Sequence, residues 1–154
     1  MADRVVLTYG TFDLFHIGHF KLLNRLKALG DKLVVGVSTD EFNATKSKQT
    51  IIPFYDRLEI VKNVRCVDLA FPEHSWSQKL DDIQKYHVTI FGMGHDWEGK
   101  FDNLREHCEV IYIPRTPDIS STKVKKSLKI LDRQHINELK HALDTVSAIV
   151  DRLE

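Results

Sequence analysis

The chain is poor in cysteine and has no long apolar run, and both shortages narrow what it can be. Its 154 residues include only two cysteines, Cys66 and Cys108, which are isolated and lack the spacing of a metal site. We therefore expect reduced, structural cysteines in a cytoplasmic protein. No apolar run approaches the length that spans a bilayer, and residues 1–4 lead into a predicted strand without a secretory signal, so we expect no membrane insertion.

The chain also lacks an excess of charge of either sign. It has 22 lysine and arginine residues against 22 aspartate and glutamate residues, which gives a formal net charge of zero. Because the two signs are mixed along the sequence, no basic face for binding nucleic acid is indicated. The length is that of one domain with enough interior for a real core.

Short apolar runs alternate with helical patterns along most of the chain. The runs predict strands over 5–9, 33–38, 67–71, 88–91 and 110–113, and the patterns predict helices over 18–29, 53–64, 78–86, 101–107 and 120–130. Since the strands are apolar at nearly every position, we predict an α/β fold with a mostly parallel five-stranded sheet between helix layers. We divide the chain into a catalytic domain, 1–130, and a C-terminal helical extension, 131–154.

Polar residues follow several of the predicted strands at the point where each strand ends. In open parallel sheets, ligands bind in the crevice beyond the carboxyl ends of the strands. We therefore expect one composite site at this edge. The residues concerned are His16 and His19 after the first strand, Thr39 and Asp40 after the second, 92–97 after the fourth and Arg115 after the fifth.

The most informative segment is residues 8–19, which read Thr-Tyr-Gly-Thr-Phe-Asp-Leu-Phe-His-Ile-Gly-His. It lies between a predicted strand and a predicted helix, so its backbone N–H groups and the positive end of the helix can bind an anion. His16 and His19 flank Gly18 and can add two side-chain donors at the same place. The segment therefore predicts a site that handles phosphate.

Three ordered motifs carry a resemblance to a known family. The run His16-Ile17-Gly18-His19 resembles the HxGH signature of the nucleotidyltransferase superfamily, and residues 115–122 resemble the second signature of its cytidylyltransferase branch. Residues 94–102 resemble a block found in glycerol-3-phosphate cytidylyltransferases. The resemblance implies a Rossmann-like fold that transfers a cytidylyl group from CTP to sn-glycerol 3-phosphate, giving CDP-glycerol and pyrophosphate.

The resemblance also implies a set of site residues. Nucleotidyl transfer depends on holding the reactants in line and neutralising charge in the transition state, which suits histidine, lysine and arginine donors. The implied catalytic residues are His16, His19, Lys46 and Arg115, and the implied acceptor-binding residues are Lys46, Arg57 and Lys79. The implied nucleotide-binding residues are His16, His19 and Arg115 together with Thr11, Phe12, Lys48, Arg65, Gly94, Asp96, Thr116, Ile119, Ser120, Ser121 and Thr122.

Magnesium is expected with CTP, bridging triphosphate oxygens rather than lying in a cage of protein ligands. Asp13 or Asp96 can help to position it, and the sequence assigns no metal ligand. One departure concerns His95, which stands where the family commonly has another acid. This departure bears on the choice of substrate and not on the class of reaction.

Other functions stay open at this point. The same chemistry can serve adenylyl transfer, or cytidylyl transfer to phosphocholine, phosphoethanolamine or a sugar phosphate. A non-catalytic nucleotide-binding or scaffold protein is the alternative from another class. An aminoacyl-tRNA synthetase is excluded, because the chain is too short and too evenly charged to bind tRNA. The resemblance further implies a homodimer and a bacterial role in supplying teichoic acid or capsule synthesis.

The end of the chain shows a different pattern. Its apolar residues are spaced 3, 4, 3, 4 and 3 apart, as in the a and d positions of a heptad; they are Ile136, Leu139, Leu143, Val146, Val150 and Leu153. We predict an amphipathic helix, which packs either on its own domain or on another subunit. Two and a half heptads make only a marginal coiled coil on their own.

Overall fold

The structure, a computed structural model, describes residues 2–117 and 119–152, and for 129–135 it describes the backbone only. Asp118 of the second motif and Leu153 of the heptad pattern lie outside this range. The chain divides into two units, one up to residue 119 and one from residue 120 onwards.

A five-stranded parallel sheet forms the centre of the first unit, as the sequence predicts. Its strand order is β3-β2-β1-β4-β5, and every pair of neighbours is parallel. The strands are β1 (Val5–Gly10), β2 (Lys32–Ser38), β3 (Leu69–Glu73), β4 (Ile90–Gly94) and β5 (Glu109–Ile113). The carboxyl ends of all five therefore lie along one edge of the sheet.

Helices connect the strands in the order that a parallel sheet requires. They are α1 (Ile17–Lys27), α2 (Asp40–Thr45), α3 (Phe54–Lys62), α4 (Gln78–Lys85) and, in the second unit, α5 (Ser121–Val150). The predicted helix over 101–107 is a 3₁₀ helix instead, Asp102–Glu106. Helix α2 is not among the predicted helices; it begins where the side chain of Thr39 accepts a hydrogen bond from Phe42 N at 3.1 Å.

Hydrophobic side chains fill both faces of the sheet. Val6 and Val35 point to one face, where they pack with Leu23 of α1 and Val61 of α3. The adjacent residues of these strands, Leu7 and Val34, point to the other face with Ile83 of α4, Phe91 and Leu104. The sheet is thus buried on both sides, which confirms the predicted arrangement between helix layers.

Helix α5 is one continuous helix of 30 residues. It passes through the predicted domain boundary at 130/131, which stays a prediction. The heptad residues Ile136, Leu139, Leu143, Val146 and Val150 lie on it, and each is between 50% and 65% exposed. Within the described part of the chain, no helix combines the length and apolar character needed to cross a membrane.

Candidate functional site

The two motif histidines form the N-terminal cap of α1. His16 is the N-cap residue, and its Nδ1 accepts a hydrogen bond from Gly18 N at 3.0 Å. In turn, Nδ1 of His19 accepts a hydrogen bond from His16 N at 3.2 Å. The two rings stack with their centroids 3.9 Å apart. Because Nδ1 is an acceptor in both neutral rings, each proton lies on Nε2, which makes that atom a hydrogen-bond donor.

Burial keeps both histidines neutral near pH 7. It lowers the pKa of His16, and together with the neighbouring His16 it lowers the pKa of His19 to about 4. Gly18 is required beneath this pair, because a Cβ atom there would lie 2.8 Å from His16 Cε1. The same Cβ would lie 3.1 Å from Ile119 Cγ2, so the second motif reaches the histidine cap through Ile119.

The loop between β1 and α1 is held in an unusual conformation. Phe12 and Leu14 have positive φ angles of 53° and 50°, which residues other than glycine rarely adopt. Asp13 lies between them and is buried, and its two carboxylate oxygens accept hydrogen bonds from Ile51 N and Ile52 N at 2.8 and 2.9 Å. Both oxygens of Asp13 therefore tie this loop to the segment before α3. Phe12 packs its ring against His19, with centroids 5.5 Å apart.

Arg57 supports the same loop from below. Its side chain is fully buried, and its guanidinium donates to Ile52 O at 2.9 Å, Thr11 O at 2.6 Å and Asp40 Oδ1 at 2.7 Å. Three protein acceptors thus occupy Nε, Nη1 and Nη2. This geometry assigns Arg57 the positioning of residues 11 and 52, and its direct contact with an acceptor substrate stays a prediction.

A pocket at the carboxyl ends of β1 to β4 brings several predicted residues together. Thr11, Lys46, Lys48 and Lys79 all line it. Its walls are aromatic, and we call the four side chains Tyr9, Trp76, Trp97 and Phe101 the aromatic cage. The pocket therefore combines cations with flat apolar surfaces, which suits a phosphorylated molecule with a carbon skeleton.

Lys46 and Lys79 lie against these rings. Lys46 Nζ lies 4.1 Å from the ring centroid of Phe42 and donates to Ser38 Oγ at 3.3 Å. Burial, with smaller effects from neighbouring cations, lowers the pKa of Lys46 to about 8. Lys79 is buried 3.6 Å from Glu73 Oε1, and burial lowers the pKa of Lys79 and raises the pKa of Glu73. We regard the pair as charged, because each group lies in the field of the other.

Sequence reasoning missed the floor and the back wall of this pocket. Glu73 ends β3 and is buried, and Tyr9 Oη donates to the buried Asp82 at 2.6 Å. Gln78 Nε2 donates to the same carboxylate at 3.0 Å. The one signal in the sequence concerns Glu73, a charged residue that directly follows the apolar run 69–72, whereas Asp82 stands among polar residues.

The second motif begins beside α1. Arg115 is exposed, and its neighbour Pro114 accepts a hydrogen bond from Arg25 Nη1 at 2.7 Å through its carbonyl. Arg115 and Thr116 line a shallow groove with Phe20 and Lys21. Ser120 caps α5, since its Oγ accepts from Lys123 N at 3.1 Å. Ser120, Ser121 and Thr122 belong to the second unit, so their predicted contact with nucleotide stays a prediction.

The remaining predicted residues fall in two places. Gly94 ends β4, and Asp96 is exposed in the 3₁₀ helix His95–Trp97 that follows it, near the cage residue Trp97. Arg65 lies elsewhere: it is exposed between α3 and β3, where the chain enters the sheet at the amino ends of the strands. Within one chain, the fold does not bring Arg65 to the other predicted residues. Among the described residues, no cluster of three or more His, Cys, Asp or Glu side chains can hold a metal ion.

A model of the cytidylyltransferase-like family matches residues 7–127. The chain belongs to this family. The matched range covers the first unit from β1 onwards and the first turns of α5, so the rest of α5 lies beyond it.

Two curated relatives and one solved structure are similar to the chain. Glycerol-3-phosphate cytidylyltransferase of Bacillus spizizenii is 53% identical over 83% of this chain and 99% of the relative. The Staphylococcus aureus enzyme of the same name is 51% identical over 80% of this chain and 93% of the relative. The lipopolysaccharide core biosynthesis protein of Thermoplasma volcanium is 25% identical, with a TM-score of 0.66 over 75% of this chain and 99% of that one. The first two similarities are strong enough to bear on the substrate.

Proposed function

We propose that this protein is a cytidylyltransferase that joins CTP to sn-glycerol 3-phosphate, giving CDP-glycerol and pyrophosphate. The observation that carries the reaction class is the pair of neutral, stacked histidines that cap α1. The observation that carries the substrates is the identity of 51% and 53% with curated enzymes named for glycerol 3-phosphate. The histidine pair lies within residues 7–127, the range matched by the family model.

The histidine cap supplies hydrogen-bond donors to the nucleotide phosphates. In the proposed complex, Nε2–H of His16 and of His19 donate to phosphate oxygens at the positive end of α1, where an anion is favoured. Because both rings are neutral near pH 7, they donate without giving up a proton. The acceptor's own phosphate is already ionised and attacks the α-phosphorus directly, so the reaction needs no general base and no covalent enzyme intermediate.

Lysines in the pocket reduce the repulsion between the two anionic substrates. Lys46 lies half-buried at the end of α2, where its ammonium can contact both the acceptor phosphate and the reacting phosphorus. Arg115 and Lys48 add cations from the exposed side of the site. Removing a single donor to a developing negative charge costs about 10²–10³ in kcat in comparable sites.

We propose that magnesium reaches the site bound to CTP. The donor set around the pocket consists of isolated acids rather than a cluster, which fits an ion held mainly by phosphate oxygens and water. When bound, the ion would neutralise triphosphate charge and orient the leaving pyrophosphate. Asp96, an exposed carboxylate after β4, would help to position the ion.

Pyrophosphate release tests the proposal. CTP, ATP, GTP and UTP are each combined with glycerol 3-phosphate, phosphocholine, phosphoethanolamine or a sugar 1-phosphate, with and without EDTA. We expect magnesium-dependent turnover confined to CTP with glycerol 3-phosphate. Turnover with another pair would reject the acceptor and keep the reaction class. No turnover together with tight CTP binding would favour the non-catalytic alternative.

The proposed enzyme is a cytoplasmic homodimer that supplies glycerol phosphate for teichoic acid or capsule polymers. The exposed apolar row on α5 supports self-association, because half-exposed leucine, isoleucine and valine side chains gain free energy when a second copy covers them. Light scattering on the full chain and on Leu139→Asp/Leu143→Asp tests it. An unchanged mass in the double variant would exclude α5 from the subunit contact.

A further inference from the structure

The ammonium group of Lys79 lies inside the aromatic cage. Its Nζ is 4.3 Å from the ring centroid of Tyr9, 4.8 Å from that of Trp76 and 5.5 Å from that of Phe101. The side chain is only 6% exposed, and Nζ has no hydrogen-bond partner among the described residues. An ammonium has three N–H donors and ordinarily satisfies them. Here aromatic faces and the carboxylate of Glu73 at 3.6 Å stabilise it instead.

These surroundings are the chemistry that recognises a quaternary ammonium. Several aromatic faces within about 6 Å of a cation, next to a carboxylate, bind choline-like groups without hydrogen bonds. The cage would suit a trimethylammonium head group, yet a side chain of the same protein fills it. The identity of the residue at position 79 therefore decides what else can enter.

We propose that Lys79 is the built-in occupant of a cation-binding cage and excludes choline-type acceptors from the acceptor pocket. This inference rests on the proposed function, since it takes the pocket to be the acceptor site. It makes Lys79 a determinant of specificity, because the cage filled by Lys79 rejects an acceptor phosphate with a cationic head group and admits one whose head group is an uncharged polyol. Specificity of this kind comes from a repulsive element built against the wrong ligand.

The charges around the cage reinforce the exclusion. Lys46 Nζ lies 5.4 Å from the ring centroid of Trp76, so a second cation borders the same aromatic wall. An incoming ammonium would meet the repulsion of Lys46 and Lys79, with Glu73 as the one acidic residue that lines the described pocket. A neutral hydroxyl meets no such repulsion. Glu73 Oε2 is buried and has no hydrogen-bond partner among the described residues, so it can accept a hydrogen bond from a hydroxyl group.

Shortening Lys79 should uncover the cage without dismantling it. The hydrogen bond from Tyr9 Oη to Asp82 holds one wall at 2.6 Å, and Trp76 packs on Trp97 with centroids 5.8 Å apart. Neither interaction involves Lys79. In Lys79→Ala, the carboxylate of Glu73 has lost the ammonium at 3.6 Å, and the three rings around that ammonium have lost their cation, which leaves the place open to choline.

Tryptophan fluorescence measures binding directly, because both tryptophans of the chain, Trp76 and Trp97, line this pocket. The wild type, Lys79→Ala and Lys79→Ala/Glu73→Gln are titrated with choline chloride at constant ionic strength. The uncharged analogue 3,3-dimethyl-1-butanol serves as the matched ligand. We expect Lys79→Ala to bind choline at least tenfold more tightly than the wild type, with the double variant losing most of this gain and the alcohol showing none.

Three results would overturn the inference: saturable choline binding to the wild type, equal binding to wild type and Lys79→Ala, or equal binding of the uncharged alcohol. Circular dichroism checks that each variant folds. If Lys79→Ala does not fold, Lys79→Ser is used in its place, because the serine hydroxyl can donate a hydrogen bond to Glu73. The wild-type titration needs no variant at all. Turnover of the wild type with CTP and glycerol 3-phosphate is measured separately, so failure of the proposed function and failure of the cage are told apart.

Discussion

Replacing Arg57 with methionine separates a positioning role from substrate contact. The guanidinium is fully buried and donates to Thr11 O, Ile52 O and Asp40, so the replacement leaves two backbone carbonyls in need of new partners. An unsatisfied buried acceptor costs about 1–3 kcal/mol. The side chain of Asp40 is 45% exposed and rehydrates, so its lost ion pair adds little. With two such carbonyls, we expect Arg57→Met to lower the free energy of unfolding by about 2–6 kcal/mol.

Urea unfolding followed by circular dichroism measures this loss, with Lys62→Met as the control on the exposed side of the same helix. We expect the control to change stability by less than about 0.5 kcal/mol. Arg57→Lys should recover only part of the loss, because one ammonium cannot reach three acceptors on different segments. A variant Arg57→Met as stable as the wild type, with a raised KM for glycerol 3-phosphate, would refute the positioning role and favour direct contact.

Three further predictions follow from the site. The pKa of His19 is about 4 in the folded protein and about 6.5 in the unfolded protein. Between these two pH values the unfolded state binds more protons, so the free energy of unfolding falls by up to about 3 kcal/mol as the pH drops. Urea unfolding at pH 7 and at pH 4.5 measures this loss, which should be smaller in His19→Asn. The pKa of Lys46 is about 8, so this side chain loses its charge above that pH. A pH–rate profile should therefore show kcat/KM falling at high pH in the wild type and staying level in Lys46→Arg. Gly18→Ala places a methyl group against the His16 ring and should lower kcat about 10²-fold. The thermal unfolding temperature should stay close to that of the wild type. Unchanged turnover would show that the stack of the two histidine rings does not contribute to catalysis.

The sheet was predictable because its strands are apolar on both faces. Val6, Leu7 and Val34 read as buried strand residues and pack on opposite faces of the sheet. Helix α2 was missed because it is only six residues long and mostly polar, and its start depends on the cap from Thr39. The stretch after it looked like an ordinary surface loop, although Lys46 at its beginning is drawn towards Phe42 and Trp76.

The histidine cap and the aromatic pocket differ in how far apart along the chain their residues lie. The histidine cap is formed within four residues, by hydrogen bonds between residues two and three apart, so a sequence motif specifies it completely. The aromatic pocket depends on residues far apart in the chain, such as Tyr9 in its wall and Asp82, which holds Tyr9 and lies 73 positions away. Their partnership depends on the parallel order of β1, β2 and β3, which no local pattern encodes.

This division explains why the reaction class is easier to predict than the acceptor. A cap such as His16 and His19 can bind phosphates in any chain that supplies a strand, a glycine and a helix N-terminus. In the function proposed above, the acceptor contacts Lys79, Glu73 and Trp76, whose effect depends on burial and on the charges around them. A change at position 79 can therefore alter the accepted substrate while leaving every residue of the HxGH motif in place. Similarity in that motif alone indicates the chemistry, and the cage residues have to be compared before an acceptor is assigned.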